Sequence, residues 1–160
     1  MSNVEKAVTL FERFNCAQSV FAACGPSDDL SEHMCLILAG PFGGGMGRMG
    51  ETCGALTGAL LVLGVRHGRE MATNPAQARG PLYERVAALT RAFRERNGGL
   101  ACRELTGCDL RTPEGQEQFK NRDLHHTLCR KLVTSAVELL EEGQGAIEPA
   151  PLEAGPPASR

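Results

Sequence analysis

The stretch from Glu51 to Val65 reads ETCGALTGALLVLGV and decides the fold of this chain. Its apolar part, Ala55 to Val65, has only about half of the ~18 residues that a membrane-spanning helix needs, so it predicts a helix buried in a protein core. Gly54, Ala55 and Gly58 give this helix a face of small residues, on which another backbone can approach closely. We therefore expect a buried helix from about Glu51 to Val65.

Helical patterns also run through the rest of the chain. Caps and stop signals predict helix ends at Asn15, Gly25-Pro26, Ser31, Gly40-Pro41, Asn74-Pro75 or Pro81, Asn97-Gly98, Cys102, Gly107, Thr112-Pro113 and Asp123. There is no alternating strand pattern and no internal repeat. The sequence predicts an all-α fold, a single-domain bundle of about five to seven helices over residues 1–142. Pro, Gly and Ala dominate residues 143–160, which predicts a disordered tail.

The composition excludes several classes of function. A net charge of -2, no Trp and a single Tyr leave neither a basic footprint nor stacking surfaces, so we expect no nucleic-acid partner. The first residues, MSNVEK, show no apolar stretch behind a basic one, and no apolar run is long enough to span a membrane. We therefore expect a cytoplasmic protein without a membrane span.

Seven cysteines are the unusual feature of the 160 residues. Because cytoplasmic thiols stay reduced, this density favours metal binding or redox catalysis over structural disulfides. Asn15 is a strong helix N-cap and Gln18 completes a capping box, which makes Cys16 the first residue of a helix. Backbone N–H groups and the helix dipole stabilise a thiolate there, so we expect a lowered pKa for Cys16.

The same argument applies to Cys53. It follows the glycine-rich loop Gly43–Gly50 and lies in the first turn of the apolar helix, so we expect a lowered pKa there too. The loop lacks the Gly-Lys-Ser/Thr ending of a phosphate-binding P-loop, and no strand precedes it. We interpret the loop as a turn that packs against the cysteines.

The other cysteines and the histidines carry weaker signals. Cys102 and Cys108 would diverge on one continuous helix, although a helix break at Gly107 permits them to meet. His125 and His126 lie four and three residues before Cys129, where an imidazole can lower a thiol pKa, share a metal or simply face solvent.

Three residues are interpreted as structural. Cys24 and Cys35 lie on apolar helix faces and predict core packing. His67, directly before Gly68, complements the dipole at a helix C-terminus.

Five segments carry a series of motifs: Asn15–Gln18, Gly43–Gly47, Glu51–Ala59, Cys102–Gly107 and Cys129–Val133. In this order they resemble the C-GCAxxG-C-C family of small proteins described as redox-active. The resemblance covers roughly residues 4 to 142.

The resemblance assigns roles to the cysteines. Carried over position by position, the four signature cysteines of the family, and so the candidate catalytic residues, are Cys16, Cys53, Cys102 and Cys129. The remaining three, Cys24, Cys35 and Cys108, are additional, which argues against a mechanism built on the Cys102/Cys108 pair. The resemblance implies redox activity but supplies no reaction.

Three hypotheses follow. In the first, two of the signature cysteines cycle between dithiol and disulfide, and Cys16 or Cys53 is the attacking thiolate. This would be an oxidoreductase-like activity, and its partner would be a redox protein or a small thiol. In the second, Cys16, Cys53, Cys102 and Cys129 hold an iron–sulfur cluster or a zinc ion. In the third, the chain is a helical interaction protein whose cysteines only pack. The small-residue faces are also compatible with a homodimer.

Overall fold

The computed structural model describes residues 1–143 of the 160-residue chain. Over this range the fold is all-α, as predicted. Its helices are α1 (Asn3–Phe11), α2 (Cys16–Cys24), α3 (Glu32–Ala39), α4 (Gly43–Met46), α5 (Gly54–His67), α6 (Pro75–Asn97), α7 (Cys102–Thr106), α8 (Pro113–Asn121) and α9 (Arg130–Gly143). Two 3-10 segments (Gly40–Phe42 and Arg69–Ala72) and one π-helical turn (His125–Cys129) join them.

The number of longer helices agrees with the predicted bundle. Seven helices of the described range have eight residues or more, which agrees with the predicted five to seven. The predicted disordered tail lies outside the described residues, except for Gly143, which ends α9. The assignment of residues 1–142 to one domain stays a prediction. No helix within residues 1–143 has both the length and the apolar character that crossing a membrane requires.

The start of α2 is fixed by the predicted capping box. Asn15 Oδ1 accepts a hydrogen bond from the Gln18 backbone N–H at 3.0 Å, and Gln18 Oε1 accepts one from the Asn15 backbone N–H at 3.1 Å. The amide nitrogens of the same two side chains donate to the carbonyl oxygens of Gly40 and Leu36, at 2.9 and 2.8 Å. The cap therefore also ties the first turn of α2 to the end of α3.

The apolar helix α5 begins at Gly54, three residues later than predicted. The residues before it pair with a distant segment instead: the Cys53 backbone N–H donates to the Leu100 carbonyl at 2.8 Å, and Thr52 forms an isolated bridge with Ala101. An extended backbone is required for this pairing, so the helix starts only after it.

The last helical stretch begins directly after Asp123, as predicted, but its first turn is π-helical. Asp123 has a left-handed φ of 49°, and its carbonyl oxygen accepts hydrogen bonds from the backbone N–H groups of His126 and Thr127. The π-helical turn His125–Cys129 follows, and α9 begins at Arg130. Because a π-helical turn is wider than an α-helical one, the geometry around Cys129 differs from that of the continuous helix we expected.

The core forms where α2 packs against α5. A Cβ atom added to Gly58 would lie 2.6 Å from the Ala17 carbonyl oxygen and 3.1 Å from Val20 Cβ, so the two backbones approach as closely as glycine allows. Helices α1, α3 and α9 also pack against α2, and α6 and α9 pack against α5. The predicted small-residue face is confirmed, and the backbone that approaches it belongs to α2.

We expect Gly58→Ala to destabilise the fold. The new methyl group would meet a backbone carbonyl that can move only if α2 and α5 separate, and such overpacking costs about 1–3 kcal/mol. Gly64→Ala is a matched control, because Gly64 lies on the same helix and no atom lies within 4 Å of its added Cβ. There alanine should stabilise the helix by about 0.5–1 kcal/mol. Urea unfolding of both variants measures the difference, and equal effects would contradict a close α2–α5 contact.

Candidate functional site

Four cysteines from four separate segments line one cavity of about 900 Å³. Cys16 and Cys102 are the first residues of α2 and α7. Cys53 is the N-cap of α5, and Cys129 ends the π-helical turn. These are the four cysteines that the sequence indicated as candidate catalytic residues, and the fold brings all of them to the same cavity.

The Cys16 sulfur lies among backbone N–H groups. Those of Gly44, Ala17, Ala55 and Cys16 itself act to lower the pKa and so favour a thiolate. Burial has the larger effect, and it raises the pKa of Cys16 above that of an ordinary thiol. The expected lowering of the pKa is therefore wrong, although the helix-start position and the N–H donors that motivated it are present.

At Cys53, too, burial and the nearby backbone N–H groups shift the thiol pKa in opposite directions. Cys53 makes no side-chain capping hydrogen bond, but the nearby backbone N–H groups of Ala55 and Leu56 act to lower its pKa. Burial is again the largest effect and raises the pKa of Cys53, and the neighbouring sulfur of Cys16 raises it further. The prediction of a lowered pKa is wrong here too, and Cys53 precedes α5 instead of lying in its first turn.

Cys102 and Cys129 are also protonated thiols near neutral pH. Burial raises the pKa of Cys102 to about 11 and that of Cys129 to about 12. After burial, the next contribution in both cases comes from Cys16. Cys16 thus contributes to the raised pKa of the three other cavity cysteines, and Cys102 contributes to that of Cys53 and Cys129.

Glycines allow the backbone to reach these sulfurs. A Cβ atom on Gly54 would lie 2.4 Å from Cys16 Sγ, and one on Gly45 would lie 2.7 Å from Cys102 Cβ. A Cβ atom on Gly43 would meet the Asn15 side chain at 2.5 Å. The glycine loop therefore packs against the cysteines and the α2 cap, as interpreted from the sequence.

The two histidines before Cys129 have different environments. His125 lines the cavity, stacks on Phe11 at 4.1 Å between ring centroids, and hydrogen-bonds the Phe11 backbone. Burial lowers the pKa of His125, so its imidazole is neutral near pH 7. His126 is exposed, and its Nδ1 lies 2.7 Å from an Asp123 carboxylate oxygen. Only His125 is positioned to act on a molecule in the cavity.

Some cavity residues gave no signal in the sequence. Arg48, from the glycine loop, and Lys120, from α8, bring positive charge to the cavity lining, and Phe119 adds an apolar side chain. Nothing local relates α8 to the cysteines, so these residues were missed. Arg48 has a left-handed φ of 70°, but only the structure reveals this backbone conformation.

The three additional cysteines are not part of the cavity lining. Cys35 is fully buried on α3, as predicted for core packing. Cys24 is half-buried at the end of α2, where burial raises its pKa to about 11, and Arg66 is a charged neighbour that we did not predict. Cys108 is buried in a separate apolar cluster. His67 ends α5, as predicted.

The cysteines are all free thiols in this structure. Among residues 1–143, no group of three or more His, Cys, Asp or Glu side chains is arranged so that it could hold a metal ion. The four cavity cysteines therefore share a space without forming a ready-made set of metal ligands.

Comparisons with known proteins concern the same residues. The family model described as "Putative redox-active protein (C_GCAxxG_C_C)" matches residues 14–143, a range that contains all four cavity cysteines. An uncharacterized protein of Archaeoglobus fulgidus is 31% identical over 138 residues, a match that covers 81% of this chain and 84% of that protein. No solved structure matches the chain significantly.

We expect the folded protein to lose stability at alkaline pH. Folding raises the pKa of Cys102 and Cys129 above the ordinary 9.0, so the unfolded chain releases their protons first as the pH rises. The stabilisation is fully present below pH 9 and is lost towards pH 11 and 12. Thermal unfolding midpoints between pH 8 and 11 measure it. The unfolding midpoint should fall less steeply with rising pH in the Cys102→Ala/Cys129→Ala double variant than in the unchanged chain. Equal slopes would contradict the assignment of this pH dependence to the two thiols.

Proposed function

The chain belongs to the C_GCAxxG_C_C family, and from this premise we propose that its cavity cysteines form a dithiol–disulfide redox centre with Cys16 as the shared sulfur. One observation carries the proposal: all four signature cysteines line the same cavity. Cys16 has a central place among them, because after burial its sulfur adds to the raised pKa of Cys53, Cys102 and Cys129.

The reaction is a pair of thiol–disulfide exchanges with a disulfide from outside, carried by a small molecule or by a partner protein. The Cys16 thiolate attacks one sulfur of that disulfide, forms a mixed disulfide and releases the first thiol. A second cavity cysteine then attacks Cys16 Sγ, forms the internal disulfide and releases the second thiol. Two electrons and two protons pass from the protein to the incoming disulfide.

The environment of Cys16 suits such an exchange. The four N–H groups around its sulfur hold the negative charge of the attacking or leaving thiolate, while burial keeps the resting thiol protonated. A thiol of this kind reacts mainly with molecules that enter the cavity. His125 lines the same space as a neutral imidazole, so it can accept a proton released there.

The metal hypothesis uses the same four cysteines. An iron–sulfur cluster or a zinc ion would take thiolate ligands. In the described part of the chain these side chains are not arranged to hold a metal ion, so binding would require them to move. For this reason we place the thiol–disulfide reaction first.

We expect Cys16→Ser, alone or combined with Cys53→Ser, to remove most of the reversible two-electron oxidation, because Cys16 takes part in the disulfide of the proposed centre. Reduced protein is titrated with oxidised glutathione, and free thiols and disulfides are counted by alkylation and mass spectrometry. Cys24→Ala and Cys35→Ala are the controls, because these thiols lie outside the cavity, and they should change stability but not the oxidation.

Two results would overturn the proposal. The first is full reversible oxidation in the Cys16→Ser/Cys53→Ser double variant. The second is a near-stoichiometric content of iron with sulfide, or of zinc, in protein that is purified anaerobically without a histidine tag. This metal would have to be absent from variants in which the cavity cysteines are replaced. That result would assign the site to a metal centre.

A further inference from the structure

Cys108 is buried directly behind the cavity wall. It is 2% exposed and packs with Cys102, Leu110 and Leu124 in a small apolar cluster that is separate from the main core. Cys102 and Leu110 line the cavity as well, whereas Cys108 is not part of its lining. Cys102 is therefore the cysteine that belongs to both the cavity and this cluster.

A sharp turn after α7 returns Cys108 to Cys102. Gly107 ends α7 in the left-handed conformation, with φ 66°. Thr106 Oγ1 donates to the Cys102 carbonyl oxygen at 2.7 Å and accepts from the Cys108 backbone N–H at 3.2 Å. The backbones of the two cysteines thus bond the same hydroxyl group, and their side chains lie in one apolar cluster, although a continuous helix would have separated them.

Arg122 places a cation beside the Cys108 sulfur. Its guanidinium donates to the Thr106 carbonyl oxygen at 3.0 Å and lies 3.8 Å from Cys108 Sγ. The Cys108 thiol in turn lies 3.6 Å from the Thr106 carbonyl oxygen. A nearby cation stabilises the negative charge that a sulfur carries while it attacks a disulfide.

Contrary to the expectation from the family resemblance, we propose that Cys108 is a fifth redox cysteine, which takes over a disulfide formed between Cys16 and Cys102. This inference rests on the proposed function, because it requires a disulfide that contains Cys16. The sulfur of Cys108 attacks Cys102 Sγ, so the Cys102–Cys108 bond forms as the Cys16–Cys102 bond breaks. The electron pair of the broken bond leaves with Cys16. Cys108 loses one proton and Cys16 gains one, so no oxidant or reductant is consumed.

The transfer would return Cys16 to its thiol form. As its sulfur leaves, the backbone N–H groups beside it offset part of the unfavourable effect of burial on the departing thiolate. The oxidising equivalents are then stored in the buried cluster, and Cys16 is free to react again in the cavity. An external disulfide reaches Cys108 only through Cys102, because Cys108 is almost fully buried.

A time course on the full chain tests the transfer. Reduced protein is mixed with oxidised glutathione, quenched with acid at intervals, alkylated with N-ethylmaleimide, and digested for disulfide mapping. We expect a Cys16–Cys102 disulfide to form first and then to decay as Cys102–Cys108 accumulates. In Cys108→Ser the Cys16–Cys102 disulfide should persist, and the Cys24→Ser control should behave like the unchanged chain.

The time course of the unchanged chain tests the disulfide transfer even if the Cys108→Ser variant folds poorly. Disulfides that contain Cys16, together with a Cys108 that stays fully alkylatable, would overturn the transfer and leave the proposed function standing. Formation of Cys102–Cys108 before any Cys16–Cys102 would overturn it as well. The absence of every disulfide that contains Cys16 would overturn both proposals.

Discussion

The contact between the Cys16 sulfur and the start of α5 is the constraint on which the site depends. Sγ occupies the space that a side chain on residue 54 would need, since a Cβ atom there would lie 2.4 Å away. Glycine at this position lets the sulfur reach the N–H group of Ala55, and Gly58, one turn later, keeps α2 close to α5. The Cys-Gly-Ala-x-x-Gly motif is thus a packing requirement for a thiol held between two helices.

Two opposing effects act on the thiols at this junction. The N–H groups of a helix start stabilise a negative charge by about 0.3–1 kcal/mol at the surface and up to about 2 kcal/mol when partly buried. Removal from water can shift a pKa by up to about 3–5 units, each worth about 1.4 kcal/mol. Burial therefore decides the direction of the pKa shift at Cys16 and Cys53, which is upward. The resting centre is neutral, and the N–H groups act once a thiolate has formed.

A short extended pairing links the start of α5 to that of α7. The Cys53 backbone N–H donates to the Leu100 carbonyl at 2.8 Å, and the Cys102 backbone N–H donates to the Glu51 carbonyl at 2.6 Å. These two bonds hold both helix starts at one cavity. Gly45 packs against Cys102 and Glu51 and so closes the glycine loop over the same junction. Cys102 thereby connects the cavity to the cluster that contains Cys108.

Local signals in the sequence determined the helical fold, the capping box at Asn15 and the small-residue face of α5, because each depends on residues a few positions apart. The set of four candidate cysteines came from the family resemblance. The tertiary structure alone decided that these cysteines share one cavity and that His125, not His126, lines it. It also decided that Cys108 lies behind Cys102 and that burial outweighs the helix start at Cys16. Burial and neighbouring charge arise from segments far apart in the chain, so no local pattern contains them.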